Sequence, residues 1–323
     1  MQNGLVGLRR RITLYIVFAV IVIAIVLFPS SPPTSLPVYQ GRPINYWHAD
    51  YVTAENPPEV RAHAAEVLRE MGTNRTPALI ERLRDVKDSK FKLKMMAVLD
   101  KQSWVKFSFT TAAMRREAAL NELVFWGPGA AAAIPELIKL AHDTNADLAI
   151  TGLHALGYAN NDAEKPIIEP FIAATASTND SVRLTGIMGV AGLYQNWKQR
   201  LGPSRSDIFP PDKVVAVLLA GTKDPNLQIR IYSVDELSKL LEAADAIVPT
   251  LTGLLQSTNS AIRFGAARAL GNLGGAARPA VPALKVALQD PDKGVRGQVE
   301  ITLRRVDPSG LSTNVANTIE PPK

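Results

Sequence analysis

The sequence predicts an all-α protein, an α-solenoid of antiparallel helix pairs with about 6–7 repeats, preceded by one N-terminal transmembrane helix. Three observations lead to this fold class. A pattern of two amphipathic helices recurs along most of the chain, only 6% of the residues are aromatic, and an apolar run follows a cluster of arginines near the N terminus. Because a helix pair with one apolar side per helix cannot bury both sides alone, such pairs stack on neighbouring copies.

The clearest copy of the repeat covers residues 259–290. Its first helix is expected from about Ser260 to Leu273, with apolar residues at the i, i+3, i+4, i+7 spacing of an amphipathic helix. This apolar stripe consists of Ile262, Ala266, Ala269, Leu270 and Leu273. A Gly-Gly turn at 274–275 separates it from a second helix, which we expect to begin near Pro282.

The Ile262-Arg263 pair is the anchor by which the other repeats are found. Equivalent pairs lie 33 residues away on each side, at Ile229-Arg230 and Val295-Arg296. The series continues backwards through Val182-Arg183, Leu148-Ala149 and Val60-Arg61. The step from Val182 to Ile229 is 47 residues, because 229 − 182 = 47, and it predicts an insertion near 195–211.

Two further features recur with the anchors. A small residue usually stands four positions after the anchor, where it lets the partner helix cross closely. These residues are Ala64, Gly152, Gly186, Ser233 and Ala266, with Val299 as the exception. A proline is expected near the start of each following helix, where its missing N–H costs little. These prolines are Pro77, Pro135, Pro166, Pro211, Pro249 and Pro282.

These anchors resemble the HEAT-like repeat family, in the short form also seen in phycobilisome lyase-type proteins and in membrane-anchored bacterial HEAT repeat proteins. In that family an Asp in the turn lies six residues before the helix-borne Arg, and the pairs form a ladder between repeats. Asp224/Arg230 and Asp290/Arg296 match both members, and Asp88/Lys94 matches with Lys in place of Arg. Glu55/Arg61 matches with Glu in place of Asp, and Arg183 and Arg263 keep the arginine alone. The resemblance therefore implies a partial Asp-Arg ladder.

The N-terminal region predicts a membrane anchor. A cytoplasmic basic segment at 1–11 contains Arg9, Arg10 and Arg11, and the apolar segment 12–28 is just long enough to span a bilayer. The arginines predict a single-pass protein of the cell (inner) membrane with a cytoplasmic N terminus and a periplasmic or extracytoplasmic repeat domain. A cleaved signal peptide is the alternative. Without these arginines the net charge of +6 becomes +3, which argues against specific nucleic-acid binding.

The remaining chain is divided by composition. A Pro/Ser-rich tether at 29–37 precedes an aromatic segment at 38–54, which we interpret as an N-terminal cap on the first repeat. The alternative for this segment is an aromatic ligand cage or a contact with the membrane interface. The HEAT-like solenoid is predicted at 55–305, with insertions near 102–111 and 195–211 and a flexible tail at 306–323.

The region 87–116 concentrates basic and aromatic side chains around the first insertion. It contains Lys90, Lys92, Lys94, Trp104, Lys106, Phe107, Phe109, Arg115 and Arg116. Such a mixture can bind an anionic polymer or lipid headgroups. The alternative is that the aromatic residues plug an irregular junction while the basic side chains remain in solvent.

The sequence offers no group of residues suited to catalysis. It has no cysteine and only four histidines, and it contains neither a His-Glu pair nor a Gly-x-Ser-x-Gly, phosphate-loop or His-Glu-x-x-His motif. We therefore predict no catalytic residue, no cofactor and no metal site. The protein is not expected to be an enzyme.

The sequence instead predicts a non-catalytic scaffold or adaptor that binds a protein or peptide partner. In HEAT repeats the Arg-bearing helices line the concave side, and positions three and six after each anchor offer a mixed polar surface there. These positions give His63, Glu66, Thr151, His154, Thr185, Met188, Tyr232, Asp235, Arg268 and Gln298. The alternatives are a chromophore-handling or other enzyme-associated protein of the phycobilisome lyase type and an envelope or anionic-lipid tether through 87–116.

Overall fold

The structure is a computed structural model that describes residues 36–85, 87–99, 111–159, 167–201 and 211–308. Several predictions fall outside these residues and stay predictions. They concern the segments 1–11 and 12–28, the tether up to residue 35, the positions Trp104, Lys106, Phe107 and Phe109, the loop 202–210 and the tail from 309 onward. The side chain of Lys92 also lies outside the described part.

The described chain is mostly helical and forms two compact units, Met1–Leu137 and Ile138–Lys323. The elements of the first unit are β1 (Val38–Tyr39), β2 (Arg42–Pro43), α1 (Ile44–Val52), α2 (Pro58–Leu83), α3 (Lys90–Leu99), α4 (Ala112–Leu123) and a 3₁₀ segment (Val124–Ala133). The helix α5 (Ile134–Ala141) crosses the boundary between the units. Within the first unit, α2 packs against α1, α4 and the 3₁₀ segment.

The second unit is a stack of helix pairs. Its helices are α6 (Ala146–Ala159), α7 (Glu169–Ala174), α8 (Asp180–Leu201), α9 (Pro211–Gly221), α10 (Leu227–Leu237), α11 (Ala244–Leu254), α12 (Ser260–Leu273), α13 (Val281–Ala287) and α14 (Lys293–Val306). Short 3₁₀ segments lie at Leu241–Ala243 and Gly274–Ala280. The even-numbered helices contact one another in order along the stack, and each packs on the odd-numbered helix that precedes it. This arrangement is the predicted solenoid of helix pairs.

The buried stripe of α12 shows why the pairs stack. Its apolar residues are almost inaccessible to solvent, with 0% exposure at Ala266 and Leu270 and 2% at Ile262. The small residues after the anchors are required by close approach. A Cβ on Gly152 would lie 2.4 Å from the backbone nitrogen of Ala141, far inside van der Waals contact. The predicted role of these small residues is therefore confirmed at this position.

The N-terminal cap contains a β-hairpin that the sequence pattern did not predict. Val38–Tyr39 pairs antiparallel with Arg42–Pro43, and the two turn residues have positive φ, 47° at Gln40 and 76° at Gly41. Positive φ at both central residues defines the type I′ turn that suits a two-residue hairpin. The indole of the buried Trp47 donates a hydrogen bond to the Tyr39 carbonyl at 2.9 Å, which ties the hairpin to α1.

Helix α2 corrects the expected boundaries of the first repeat. We predicted Pro77 near the start of the second helix of this repeat, but one helix of 26 residues contains Pro77 in its interior. The helix continues because apolar residues on both sides of the proline are buried, with Met71 and Leu79 each 1% exposed. At Gly72 the helix backbone lies directly against Gly129, so that a Cβ there would be 2.1 Å from the Gly129 carbonyl oxygen. Tertiary packing outweighs the local preference of proline to end a helix.

Other helix starts also differ from expectation. Pro135, Pro211 and Pro282 lie in the first two positions of their helices, as predicted, whereas Pro249 lies inside α11. Pro166 is outside the described residues. The predicted Gly-Gly turn at 274–275 is the start of a 3₁₀ segment, in which Gly274 has φ 56°.

One helical stretch of the described chain, Ala112–Ala141, is long and apolar enough to cross a membrane by length and composition. Of its most apolar window, 44% is buried inside the protein. The stretch is also interrupted at Gly127, where φ is 48° and ψ is −129°. The large buried side chain of Trp126, 0% exposed, belongs to the core at this point.

Candidate functional site

One seven-residue turn motif precedes the five even-numbered helices α6 to α14. Residues 143–149, 177–183, 224–230, 257–263 and 290–296 read DTNADLA, STNDSVR, DPNLQIR, STNSAIR and DPDKGVR. The third residue of each copy is the helix N-cap. In the copy at 257–263, the Asn259 side chain accepts hydrogen bonds from the backbone N–H groups of Ala261 and Ile262 at 3.0 and 3.3 Å. Such caps satisfy donors that a helix leaves unpaired at its start.

The first residue of the motif holds the turn itself. Its side-chain oxygen accepts the N–H of the third residue in all five copies. This distance is 2.8 Å from Asp290 to Asp292 and 3.3 Å from Ser257 to Asn259. Aspartate and serine are therefore interchangeable for the turn, although only aspartate brings a charge.

The arginine at the seventh position bends back over its own turn. In the copy at 257–263, Nη1 of Arg263 donates to the carbonyls of Ser257 and Thr258 at 2.8 and 3.3 Å. Arg183, Arg230 and Arg296 make the same pair of bonds to the first two carbonyls of their own turns. Four copies thus hold a guanidinium in the same place.

The remaining guanidinium nitrogens reach the next repeat where that repeat supplies a carboxylate. Arg183 donates to both oxygens of Asp224 at 2.9 and 3.0 Å, and Arg263 donates to both oxygens of Asp290 at 2.7 and 2.8 Å. These hydrogen bonds from arginine lower the pKa of Asp224 and of Asp290 below the usual aspartate value. The two rungs join α8 to the turn before α10 and α12 to the turn before α14.

The ladder has gaps that follow from the sequence. Arg230 faces a repeat that begins with Ser257, and within the described residues its side chain bonds only the carbonyls of Asp224 and Pro225. In the copy at 143–149, Ala149 replaces the arginine. In the predicted pairs Asp224/Arg230 and Asp290/Arg296, the arginine therefore bonds the backbone carbonyl of the aspartate and not its carboxylate. Each carboxylate bonds an arginine of the preceding repeat instead, Arg183 and Arg263 respectively.

The first unit departs from the predicted ladder. Lys94 is exposed, and Asp88 accepts instead from the Ala112 N–H at 2.8 Å and from Arg115 at 3.4 Å. Arg115 therefore takes the role that we expected for Lys94. It stands four residues after the N-cap Thr111, and the ladder arginines stand at the same distance from their own N-caps. The buried Nε of Arg61 has no hydrogen-bond partner in the part of the chain that the structure describes.

The basic side chains around the first insertion divide into two groups. Arg115 also donates to Asp85 at 2.5 Å, and Arg116 donates to the Asp85 carbonyl at 2.7 Å. Arg115 is therefore paired with carboxylates within the first unit, whereas Arg116 bonds a neutral carbonyl there and keeps its charge. Lys90 and Lys94 are exposed.

A second set of polar contacts crosses α10, α12 and α14. Nη2 of Arg268 donates to Asp235 at 2.6 Å, the Asn272 amide donates to Ser238 at 3.3 Å, and Arg305 donates to Asn272 at 3.5 Å. We call this surface the α10–α12–α14 face. It comprises Tyr232, Asp235, Ser238, Phe264, Arg268, Asn272, Gln298, Ile301 and Arg305. Phe264 and Ile301 expose 37% and 48% of their surface there.

A cleft of about 380 Å³ lies on this face beside α12. Its lining combines apolar side chains with a charge of each sign. The lining residues are Ile231, Val234, Ser260, Ala261, Ile262, Phe264, Gly265, Arg268 and Asp292. Burial and the nearby Glu236 carboxylate raise the pKa of Tyr232 above its usual value.

Six of the ten residues predicted for a concave surface lie outside the α10–α12–α14 face, on helices α2, α6 and α8. His63 and Glu66 are exposed in the first unit, where the His63 ring meets Trp47 edge-on at 5.7 Å. The prediction that Thr151 belongs to a binding surface is wrong, because its side chain is 6% exposed and donates to the Asp147 carbonyl. His154 and Met188 are exposed, and Thr185 is half-buried and donates to the Ser181 carbonyl. Surrounding protein lowers the pKa of the His154 imidazole by desolvation.

Sequence reasoning missed several residues that organise these surfaces. Ser238, Asn272 and Arg305 were not singled out, although the last two stand 33 residues apart, because 305 − 272 = 33. The N-caps were missed as well, although an Asn or Asp always stands four residues before the seventh position of the motif. Among the described residues, no group of three or more His, Asp or Glu side chains is placed to hold a metal ion.

Comparisons with known proteins bear on the repeats. Residues 215–304 match the sequence model described as HEAT repeats. A mutant of Kap121p is similar in structure at 14% identity with a TM-score of 0.50, covering 81% of this chain and 29% of that one. Kap121p bound to Pho4p gives 0.48 at 14% identity with coverages of 81% and 29%, and an engineered protein gives 0.40 at 18% identity with coverages of 81% and 95%. No curated protein matches the sequence.

The fold and the motif together define the class of protein. The second unit is a helical-repeat solenoid, and within it residues 215–304 match the sequence model for HEAT repeats. The likeness to the Kap121p mutant supports this fold alone, and the chain spans 29% of the length of that protein.

Proposed function

We propose that this protein is a non-catalytic scaffold whose HEAT repeats bind a protein or peptide partner on the α10–α12–α14 face. The observation that carries the proposal is the composition of that face. The aromatic ring of Phe264 and the guanidinium of Arg268 line a cleft of about 380 Å³, and the exposed aliphatic side chain of Ile301 lies on α14 of the same face. Aromatic residues and arginine are the types that most often dominate binding energy at protein interfaces.

The rigidity of the face supports the same function. Three helices from successive repeats are joined across it by the contacts from Arg268 to Asp235, from Asn272 to Ser238 and from Arg305 to Asn272. A partner therefore meets side chains that are already held in place, and less conformational freedom is lost on binding. The alternation of positive, negative and apolar groups suits a protein surface better than a uniform polyanion.

The partner chemistry follows from the cleft. Its apolar floor can take one aliphatic or aromatic side chain, while Arg268 and Asp292 on its lining can bond the backbone or the polar neighbours of that side chain. A short peptide segment with one apolar anchor between polar residues matches this arrangement. Most of the binding energy would come from burying the anchor.

The membrane anchor is part of the proposal. The basic segment 1–11 and the apolar segment 12–28 support attachment to the cell membrane by a single span, with the partner bound outside the cytoplasm. The resemblance to anchored bacterial HEAT repeat proteins supports the same arrangement. Chromophore handling of the phycobilisome lyase type would need convergent ligands in one pocket, and we find no such group among the described residues. Lipid tethering through 87–116 is the alternative that keeps some support, because Lys90 and Lys94 are exposed.

Site-specific crosslinking tests the proposed face. A photoreactive phenylalanine analogue replaces Phe264 in the full-length chain, expressed in its own cells and irradiated there. We expect a discrete crosslinked protein band that disappears when Arg268→Glu is added, because the charge reversal opposes the same partner. The matched control places the analogue at Val286, which is 77% exposed on α13, outside this face.

The outcome at the two positions decides the matter. A band from position 264 that is absent from position 286 supports a partner on the α10–α12–α14 face. Identical bands at both positions would indicate random collision, and no band at 264 would remove this face as the binding surface.

A further inference from the structure

A second cleft, of about 410 Å³, lies between the first two copies of the turn motif. It belongs entirely to the second unit and was not part of the predicted binding surface. Its lining residues are Ala141, His142, Asp143, Thr144, Ala146, Ala149, Ala173, Ala174, Ser177, Thr178, Asn179 and Val182. Four residues of each motif copy line the cleft, so it lies where a rung of the ladder would cross.

The cleft coincides with the place of a missing arginine. In the other four copies the seventh residue is an arginine whose guanidinium lies against the first two carbonyls of its own turn. In the pairs Arg183–Asp224 and Arg263–Asp290 it also fills the space up to the next turn. Ala149 has no such side chain, and the cleft is lined by Ala149 together with the turn residues that an arginine would contact.

The groups that bind guanidinium elsewhere are present and unused at this position. In the described part of the chain, the carbonyl oxygens of Asp143 and Thr144 accept no hydrogen bond. The carboxylate of Asp143 accepts the Asn145 N–H at 2.8 Å, and no cation pairs with it among the described residues. In the equivalent turns, Arg230 and Arg296 act electrostatically on the carboxylates of Asp224 and Asp290. A cation in the cleft would act on Asp143 in the same way.

We propose that this cleft binds an arginine side chain of the protein partner, completing the rung that Ala149 leaves open. The proposal rests on the function proposed above, that the chain binds a protein, and it names one side chain of that protein. The planar guanidinium donates to the two carbonyls of the turn, as Arg230 does in its own turn, and lies near the Asp143 carboxylate. A lysine ammonium is a point charge and cannot match this fork of acceptors.

A small probe tests the site without knowledge of the partner. N-acetyl-arginine amide is titrated into the full-length chain by calorimetry, beside the citrulline analogue, which keeps the shape and loses the charge. We expect the citrulline analogue to bind at least about tenfold more weakly. Ser177→Asp should tighten binding of the arginine probe severalfold, because it supplies the carboxylate that the other complete rungs have, and Asp143→Asn should weaken it.

The second part of the experiment fills the cleft with an arginine of the protein itself. Ala149→Arg should abolish binding of the probe, because the new side chain occupies the cleft and reproduces the two carbonyl bonds of Arg230. Val286→Arg is the matched control, since it adds the same charge at an exposed position on α13 and should leave binding unchanged. Arg183→Ala should create a second site of the same kind beside Asp224 and so double the number of probes bound per chain.

Three results would overturn the proposal. They are equal binding of the arginine and citrulline probes, no effect of Asp143→Asn and Ser177→Asp, and undiminished binding by a folded Ala149→Arg variant. The first two do not depend on how Ala149→Arg folds. Probe binding together with failed crosslinking at position 264 would retain the arginine site and reject the α10–α12–α14 face, whereas the reverse pattern would reject the arginine site alone.

Discussion

At the scale of single residues, the ladder arginines are the side chains on which most of the turn geometry depends. The side chains of Arg263 and Asp290 are only 11% and 5% exposed, so both charges are largely removed from water. Burying a charge is unfavourable unless it is paired and hydrogen-bonded. Arg263 meets this condition with two carbonyls and two carboxylate oxygens. Removing either partner leaves the other charge buried without compensation.

The variant Arg263→Ala should therefore lower the free energy of unfolding by about 2–4 kcal/mol, because it breaks a buried charge pair and frees two carbonyls. Urea denaturation followed by circular dichroism measures the change. Arg263→Lys is the control and should recover part of the loss, since lysine keeps the charge but not the two-pronged geometry. A loss below about 0.5 kcal/mol for the alanine variant would show that the rung does not stabilise the fold.

The same rung predicts how stability depends on pH. Hydrogen bonds from Arg263 lower the pKa of Asp290 in the folded protein, so the folded state holds this carboxylate ionised more strongly than the unfolded state does. The resulting stabilisation is complete above the unfolded aspartate pKa of about 3.9 and is lost as the pH falls through the lower folded value. Urea midpoints between pH 5 and pH 2.5 should fall less steeply in Asp290→Asn than in the wild type. Parallel curves would contradict this assignment.

At the scale of the elements, each repeat is held by a buried stripe, an N-cap and, where the sequence permits, a rung. The stripe supplies most of the energy, because Leu270 and its neighbours are fully buried between α11, α12 and α14. The N-cap fixes where the helix begins. The rung fixes how far the next turn lies from it, and Ser257 interrupts this third contribution at Arg230.

Leu270→Ala should lower the free energy of unfolding by about 2–5 kcal/mol, because a fully buried leucine leaves a cavity when it is truncated. Chemical denaturation measures this loss. The matched control is Ile301→Ala on α14, which is 48% exposed and should cost much less. Equal losses at the two positions would mean that the buried stripe of α12 is not the main contact of this repeat.

Ser257→Asp should stabilise the protein by about 1 kcal/mol, because the new carboxylate can accept the free nitrogens of Arg230 in the geometry of the other rungs. The thermal midpoint is expected to rise. Ser177→Asp is the matched control, since it makes the same change where the preceding repeat offers Ala149 and no arginine. A similar rise for both variants would show that the gain comes from the turn and not from the rung.

At the scale of the whole molecule, the predicted membrane topology decides which compartment would hold the proposed partner. A reporter that is active only outside the cytoplasm, fused after Lys323, should be active, because the arginine cluster at 9–11 precedes the apolar segment 12–28. Changing these three arginines to glutamate should reduce that activity. A wild-type fusion that is active only with a cytoplasmic reporter would reverse the predicted topology.

The sequence by itself determined the repeating part of the fold. The spacing of apolar residues predicted the helix pairs of the second unit, the stripe of α12 and the small residue at Gly152. This was possible because a helix that is buried on one side carries apolar residues at regular intervals. The sequence also predicted part of the turn motif, namely the position of its arginine. The arginines of the rungs were predicted because an arginine recurs at the same position in four of the five copies.

Only the tertiary structure decided the rest. The uninterrupted α2, the hairpin at Val38–Pro43 and the buried position of Thr151 depend on contacts with distant residues that leave no local pattern. The direction of the rungs, from Arg183 to Asp224 and not within one repeat, depends on how far a side chain reaches between two turns. The cleft beside Ala149 could likewise be found only in the structure. The sequence shows that an alanine replaces the arginine, but only the structure shows the unbonded carbonyls around that position.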